Sequence, residues 1–125
     1  MSVSYTFTRA VNDGVAPISK ADVVTSGANQ DVDEAIPANQ TSLPLAFAFT
    51  KTKLQGIYMV SDQACTVKTN TTTGTDTISL LANMPYMWTI SDSYFANPFA
   101  GNVTGLYITN VTACTLRIRS IVDPT

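Results

Sequence analysis

Apolar and polar residues alternate with period two along much of the chain, and no segment sustains the spacing of an amphipathic helix. In "TSLPLAFAFT", Leu43, Leu45, Phe47 and Phe49 fall on one side with small residues between them. Pro44 within that run marks an edge strand or a strand entry, because proline cannot donate to a ladder. Near the start, Val3, Tyr5, Phe7 and then Val11 alternate with Ser, Thr and Ala up to the turn signal Asn12-Asp13-Gly14. Towards the other end, Cys114, Leu116, Ile118 and Ser120 share one face, while Thr115, Arg117 and Arg119 share the other. That strand has a dry side and a wet side.

Further strands are predicted at Ile57–Val60, Cys65–Asn70, Thr77–Ala82, Tyr86–Ile90 and Leu106–Thr109, with weaker signals at Val15–Ile18, Val23–Thr25 and Ala35–Ile36. Only "ISKADVV" and "DVDEAI" have room for a helical turn, and the connectors "TNTTTGTD", "ANMP" and "SDSYFANPFAGN" are rich in turn residues. Short strands spaced by turns predict an all-β, single-domain fold over residues 1–125: a jelly-roll-like antiparallel β-sandwich of about eight short strands. Residues 1–12 read as an N-terminal arm or an exchanged strand.

Two stretches echo each other, "GIYMVSDQACTVKTN" from Gly56 and "GLYITNVTACTLRIR" from Gly105, with five of fifteen positions identical. Each reads as a β-hairpin: an apolar strand, a polar turn, then a strand opening on Ala-Cys-Thr. Gly56 and Gly105 suit a bulge or a close backbone approach. Tyr58 and Tyr107 are placed to lay a ring along the sheet with the hydroxyl in water. Cys65 and Cys114 share a face with Val67 and Leu116, which puts each thiol in a small core niche. An old duplication and two hairpins solving one packing problem both lead to two equivalent units facing across one core.

Composition narrows the function. Only 13% of the 125 residues are charged against 45% hydrophobic, roughly half the usual charged share. So little charge leaves uncharged surface to meet another protein. The net charge is −2, and the seven cations are scattered rather than gathered in a stripe, which argues against nucleic acid. The opening "MSVSYTFTRAVNDG" has neither the cationic nor the apolar segment of a secretory signal, and no apolar run is long enough to cross a bilayer. The expectation is a soluble protein made in the cytosol. Asn-x-Thr triplets at Asn39, Asn70, Asn102 and Asn110 then reflect composition rather than glycosylation.

The chain contains no histidine, which removes Ser-His-acid triads, Cys-His dyads and histidine-ligated metal sites. Two cysteines do not make a disulfide framework, and on strands they are expected to be unreactive thiols with raised pKa. Asp31, Asp33 and Glu34 are the one carboxylate cluster. Their spacing lacks the ligand set and glycine of a Ca²⁺ loop, so the expected role is a solvated acidic connector. Lys51-Thr52-Lys53 reads as a basic guard of a strand edge. The loop "DSYFANPFAGN" concentrates Tyr94, Phe95 and Phe99 shortly after Trp88. These rings serve as a lid over one end of the sandwich, as a contact patch for a neighbouring subunit, or as a sugar-binding platform.

The run from "LPLAFAFTKTKLQGIYMVSDQACTVKTN", through "DTISLLANMPYMWT" and "NPFAGNVTGLYITN", to "LRIRSIVDPT" resembles small virion proteins of tailed bacteriophages, and more broadly the compact β-sandwich accessory proteins that decorate or cement their capsids. The resemblance spans roughly residues 43–125 and rests on strand cadence and loop pattern. It implies a non-enzymatic structural protein of the virion, assembled in the host cytoplasm, without cofactor or metal. Such a protein forms a homo-oligomer, a trimer or dimer, on a major capsid protein, with no nucleic-acid or membrane partner. Within that scheme Val3, Tyr5, Phe7 and Arg9 supply a strand to a neighbour, and Tyr94, Phe95 and Phe99 dock against a partner. The alternatives are another virion component (head–tail or tail fibre) and a carbohydrate- or Ca²⁺-binding β-sandwich module.

Overall fold

The computed structural model describes residues 2–11, 14–15, 18–91 and 95–125. Among them ten strands form, with a single 3₁₀ turn at Lys51–Lys53. They are β1 (Val3–Val11), β2 (Ile18–Ser26), β3 (Ala28–Ile36), β4 (Leu43–Leu45), β5 (Leu54–Ser61), β6 (Cys65–Thr69), β7 (Thr77–Leu80), β8 (Tyr86–Thr89), β9 (Leu106–Asn110) and β10 (Cys114–Val122). Eight make two antiparallel four-stranded sheets, ordered β3-β10-β5-β8 and β4-β9-β6-β7, and β1 pairs with β2 in a separate ribbon. The all-β sandwich read from the alternation is the fold this chain adopts.

Alternation builds the interior. Ile57 and Met59 of β5 and Leu116 and Ile118 of β10 meet Val67 of β6 and Ile108 of β9, all at 0% exposure. Each such side chain contributes about 1.5–3 kcal/mol by leaving water. Phe47, Phe49 and Phe99 close one end of this interior by edge-to-face contacts, with ring centroids 5.7 and 5.0 Å apart. Pro44 lies in β4, an edge strand, as its missing N–H requires.

The echo forms arches, not hairpins. β5 and β6 lie in different sheets, and so do β9 and β10, so each turn carries the chain from one sheet to the other. The arches clasp by pairing β5 with β10 and β6 with β9. Corresponding positions of the two copies, Ser61 and Asn110, are both buried. Ser61 Oγ donates to the Gln63 carbonyl at 2.6 Å, and Asn110 Nδ2 donates to the carbonyls of Thr112 and Pro37, both at 3.0 Å. Inward side chains satisfy the turn carbonyls that a hairpin would pair across its own ladder.

Other expectations are corrected by pairing. "ISKADVV" and "DVDEAI" are not helical: they lie in β2 and β3, nine residues each, held by β1 and β10. Partner strands, not local propensity, make them extended. The acidic segment is therefore an edge strand instead of a connector. Lys51–Lys53 leads into β5, which is flanked by β10 and β8, so it guards no edge. Three of the Asn-x-Thr asparagines tie loops together. Asn70 Nδ2 donates to the Asn102 carbonyl, Asn102 Oδ1 accepts from the Lys51 N–H, and Asn110 caps its turn.

The β1–β2 ribbon lies on the outer face of the first sheet, and its contacts fix its direction. Tyr5 reaches Asp31 and Asn29 of β3. Phe7 packs with Val24 on Ile121 of β10 and over Gly56 of β5, where a Cβ would lie 2.9 Å from the ring. Asp22 meets Thr89 of β8. The ribbon thus runs across the sheet from β3 to β8, and the described residues past Arg9 and before Asp22, all exposed, overhang the β8 edge.

Candidate interaction surface

Among its described residues, the overhang exposes three large apolar side chains. Val11 and Ile18 are opposed across the ribbon, 66% and 74% exposed, and Val15 beyond them is 89% exposed. Ile90, which directly follows β8, and Phe95, whose carbonyl accepts from Trp88 Nε1 of β8 at 3.1 Å, are also exposed, at 54% and 71%. The base of the overhang is anchored by charge. Buried Asp22 accepts from Lys20 Nζ at 2.6 Å, from Arg9 Nη1 at 3.4 Å and from Thr89 Oγ1 at 3.4 Å. The Lys20 ammonium above all holds the Asp22 carboxyl below the usual carboxylate range, against the opposing effect of burial.

The ribbon leaves a groove of about 320 Å³ beside it, lined by Tyr5, Thr6, Phe7, Tyr58 and Arg119. The Tyr5 hydroxyl donates to the Asp31 carboxylate, 2.6 and 2.7 Å from its oxygens, and accepts from Asn29 Nδ2 at 2.9 Å. Burial, and then the hydrogen bond to Asp31, push the Tyr5 phenol upward. Arg119 Nη2 donates to both oxygens of Asp33 at 3.0 and 3.1 Å, and Nη1 donates to the carbonyls of Val32 and Ile118. Asp31 and Asp33 thus turn to separate partners, and no group of three or more metal-ligating side chains converges among the described residues.

The residues singled out from sequence fall in different settings. Val3, Tyr5, Phe7 and Arg9 form the inward face of β1, with Phe7 at 4% exposure, and they hold the ribbon to its own sandwich. Phe99 is 1% exposed and belongs to the interior, whereas Phe95 faces solvent. Tyr94 lies outside the described residues. Trp88, at 7% exposure, offers no open stacking face. The residues that overhang, Val15 and Ile18, were legible only as a weak strand; the signal was β-branched residues flanking a turn, with nothing to say that the strands run off a sheet.

Gly56 has the close approach expected of it, while Gly105 has only the Leu45 carbonyl at 4.0 Å from a would-be Cβ. Cys65 and Cys114 are both buried free thiols. Burial pushes the Cys65 thiol up to about 11, the unreactive state expected of it. Comparison with protein-family models, with curated proteins and with solved structures finds no match.

Proposed function

We propose that this protein is a non-enzymatic structural subunit of a bacteriophage particle, a decoration or cement protein that sits as a small homo-oligomer on the capsid shell. We read the strand orders β3-β10-β5-β8 and β4-β9-β6-β7 as a jelly roll, a form used by viral capsid and lectin domains. The observation that carries the reading is the overhanging ribbon. Its shaft is fixed by Phe7 and Asp22, while its tip presents Val11, Val15 and Ile18 beyond the sheet edge. A rigid arm ending in exposed apolar side chains suits bridging, because a neighbour that covers the tip gains its burial without ordering a flexible segment.

The test replaces Val11, Val15 and Ile18 together with serine and measures solution mass and co-sedimentation with empty shells. The native protein is expected to be multimeric and to pellet with shells. The variant is expected to lose shell binding at least tenfold while keeping its melting midpoint. A variant that pellets like the native protein would overturn the reading.

A second reading rests on the groove. The Tyr5 and Tyr58 rings beside the Asp31–Tyr5–Asn29 hydrogen-bond network combine stacking surface with polar groups, as a carbohydrate site would. Glycan binding lost on Tyr58→Ala, by a protein that ignores shells, would favour it.

A further inference from the structure

The echo brings its two cysteines together. Cys65 opens β6 in one sheet and Cys114 opens β10 in the other, each directly after its arch turn. Both are 5% exposed within one interior cluster. Asn110, the register partner of Cys65, lays Nδ2 3.7 Å from the Cys114 sulfur and so places that sulfur beside the head of β6. Stacked sheets normally stand about 10 Å apart, farther than the roughly 4.4–6.8 Å between Cα atoms that a disulfide spans. At the arch turns the chain itself passes between sheets, and there Asn110 brings the two cysteines to the same end of the interior. Immunoglobulin sandwiches join their sheets by such an inter-sheet bond.

We propose that Cys65 and Cys114 form an oxidisable pair, closed by a peroxide into an intramolecular disulfide that staples the two sheets. One thiolate attacks a peroxide oxygen, giving a sulfenic acid and, after protonation, water. The second sulfur then attacks the sulfenic sulfur and releases a second water. Two thiols and one hydrogen peroxide yield one disulfide and two waters. The bond closes a loop of about fifty residues, long enough to restrict the unfolded chain strongly. Burial keeps the step slow, since a thiolate must form in an apolar setting, and closure proceeds through brief opening of the arch end.

The experiment treats the folded protein with stoichiometric hydrogen peroxide, and separately equilibrates it in glutathione buffers with and without guanidinium. Intact mass and a non-reducing peptide map are read. The expected product has lost two hydrogens, joins the Cys65 and Cys114 peptides within one chain, and melts on the order of 10 °C higher. In glutathione the folded protein should favour the bond on the order of 10³-fold more than the unfolded chain does. Equal equilibria in the two states, or peroxide products confined to sulfinic acids or linked dimers, would overturn the proposal. Cys65→Ser and Cys114→Ser each abolish the cross-link, and the equilibrium comparison holds even where these variants fold poorly.

Discussion

Gly56 shows how one missing atom joins two parts of the molecule. A Cβ there would meet two atoms of the Phe7 ring at 2.9 Å. Gly56→Ala is expected to cost about 1–3 kcal/mol, read as a lower denaturant midpoint, because Phe7 must leave its seat on Ile121. Asp22 ties down the same ribbon by charge. Its folded carboxyl lies below the ordinary value, so its contribution is complete above the ordinary carboxylate range and is lost as pH falls through the folded value. The Phe7 ring resonances should shift towards those of a loosened ribbon on acidification, and Asp22→Asn should remove that acid step. Cys65 acts at the other end of the pH scale. With its thiol raised to about 11, labelling by a thiol reagent at pH 8 should be on the order of 100-fold slower in the folded than in the unfolded protein. Stability should fall between the ordinary thiol value and the folded one, as the unfolded chain ionises first.

Among the elements, the strands with inward runs were legible, and those set by their partners were not. β5, β6, β9 and β10 announce themselves because each buries alternate aliphatic residues. β3 has a polar outer side and only Val32 and Ile36 turned towards the core. It is extended because β10 pairs with it from Ala28 to Ile36 and sets Arg117 and Arg119 opposite Asp33 and Asp31. The echo was visible, but alternation is the same in a hairpin and in an arch. What separates them is which strands pair, β5 with β10 and β6 with β9, and that needs coordinates. The interaction surface was harder still. Val3, Tyr5, Phe7 and Arg9 form one face in sequence, and nothing local says whether that face meets its own sandwich or a neighbour. It meets its own sandwich.

At the scale of the whole molecule, the two sheets, the ribbon and the groove depend on one arrangement: each sheet takes one of its inner strands from the end of the chain. β10 sits between β3 and β5, and β9 between β4 and β6. During synthesis, the earlier strands emerge before the partners that close them. Ribosome-bound chains arrested at Gly105 should be digested readily by protease, and resistance should appear only after Val122 has cleared the exit tunnel. Through that interval β3 waits with both edges open, and the negative charges of Asp31, Asp33 and Glu34 repel the same segment of nearby nascent copies. Asp31 and Asp33, which end opposite Arg119 and Arg117, would thus have served first as chaperones of their own strand.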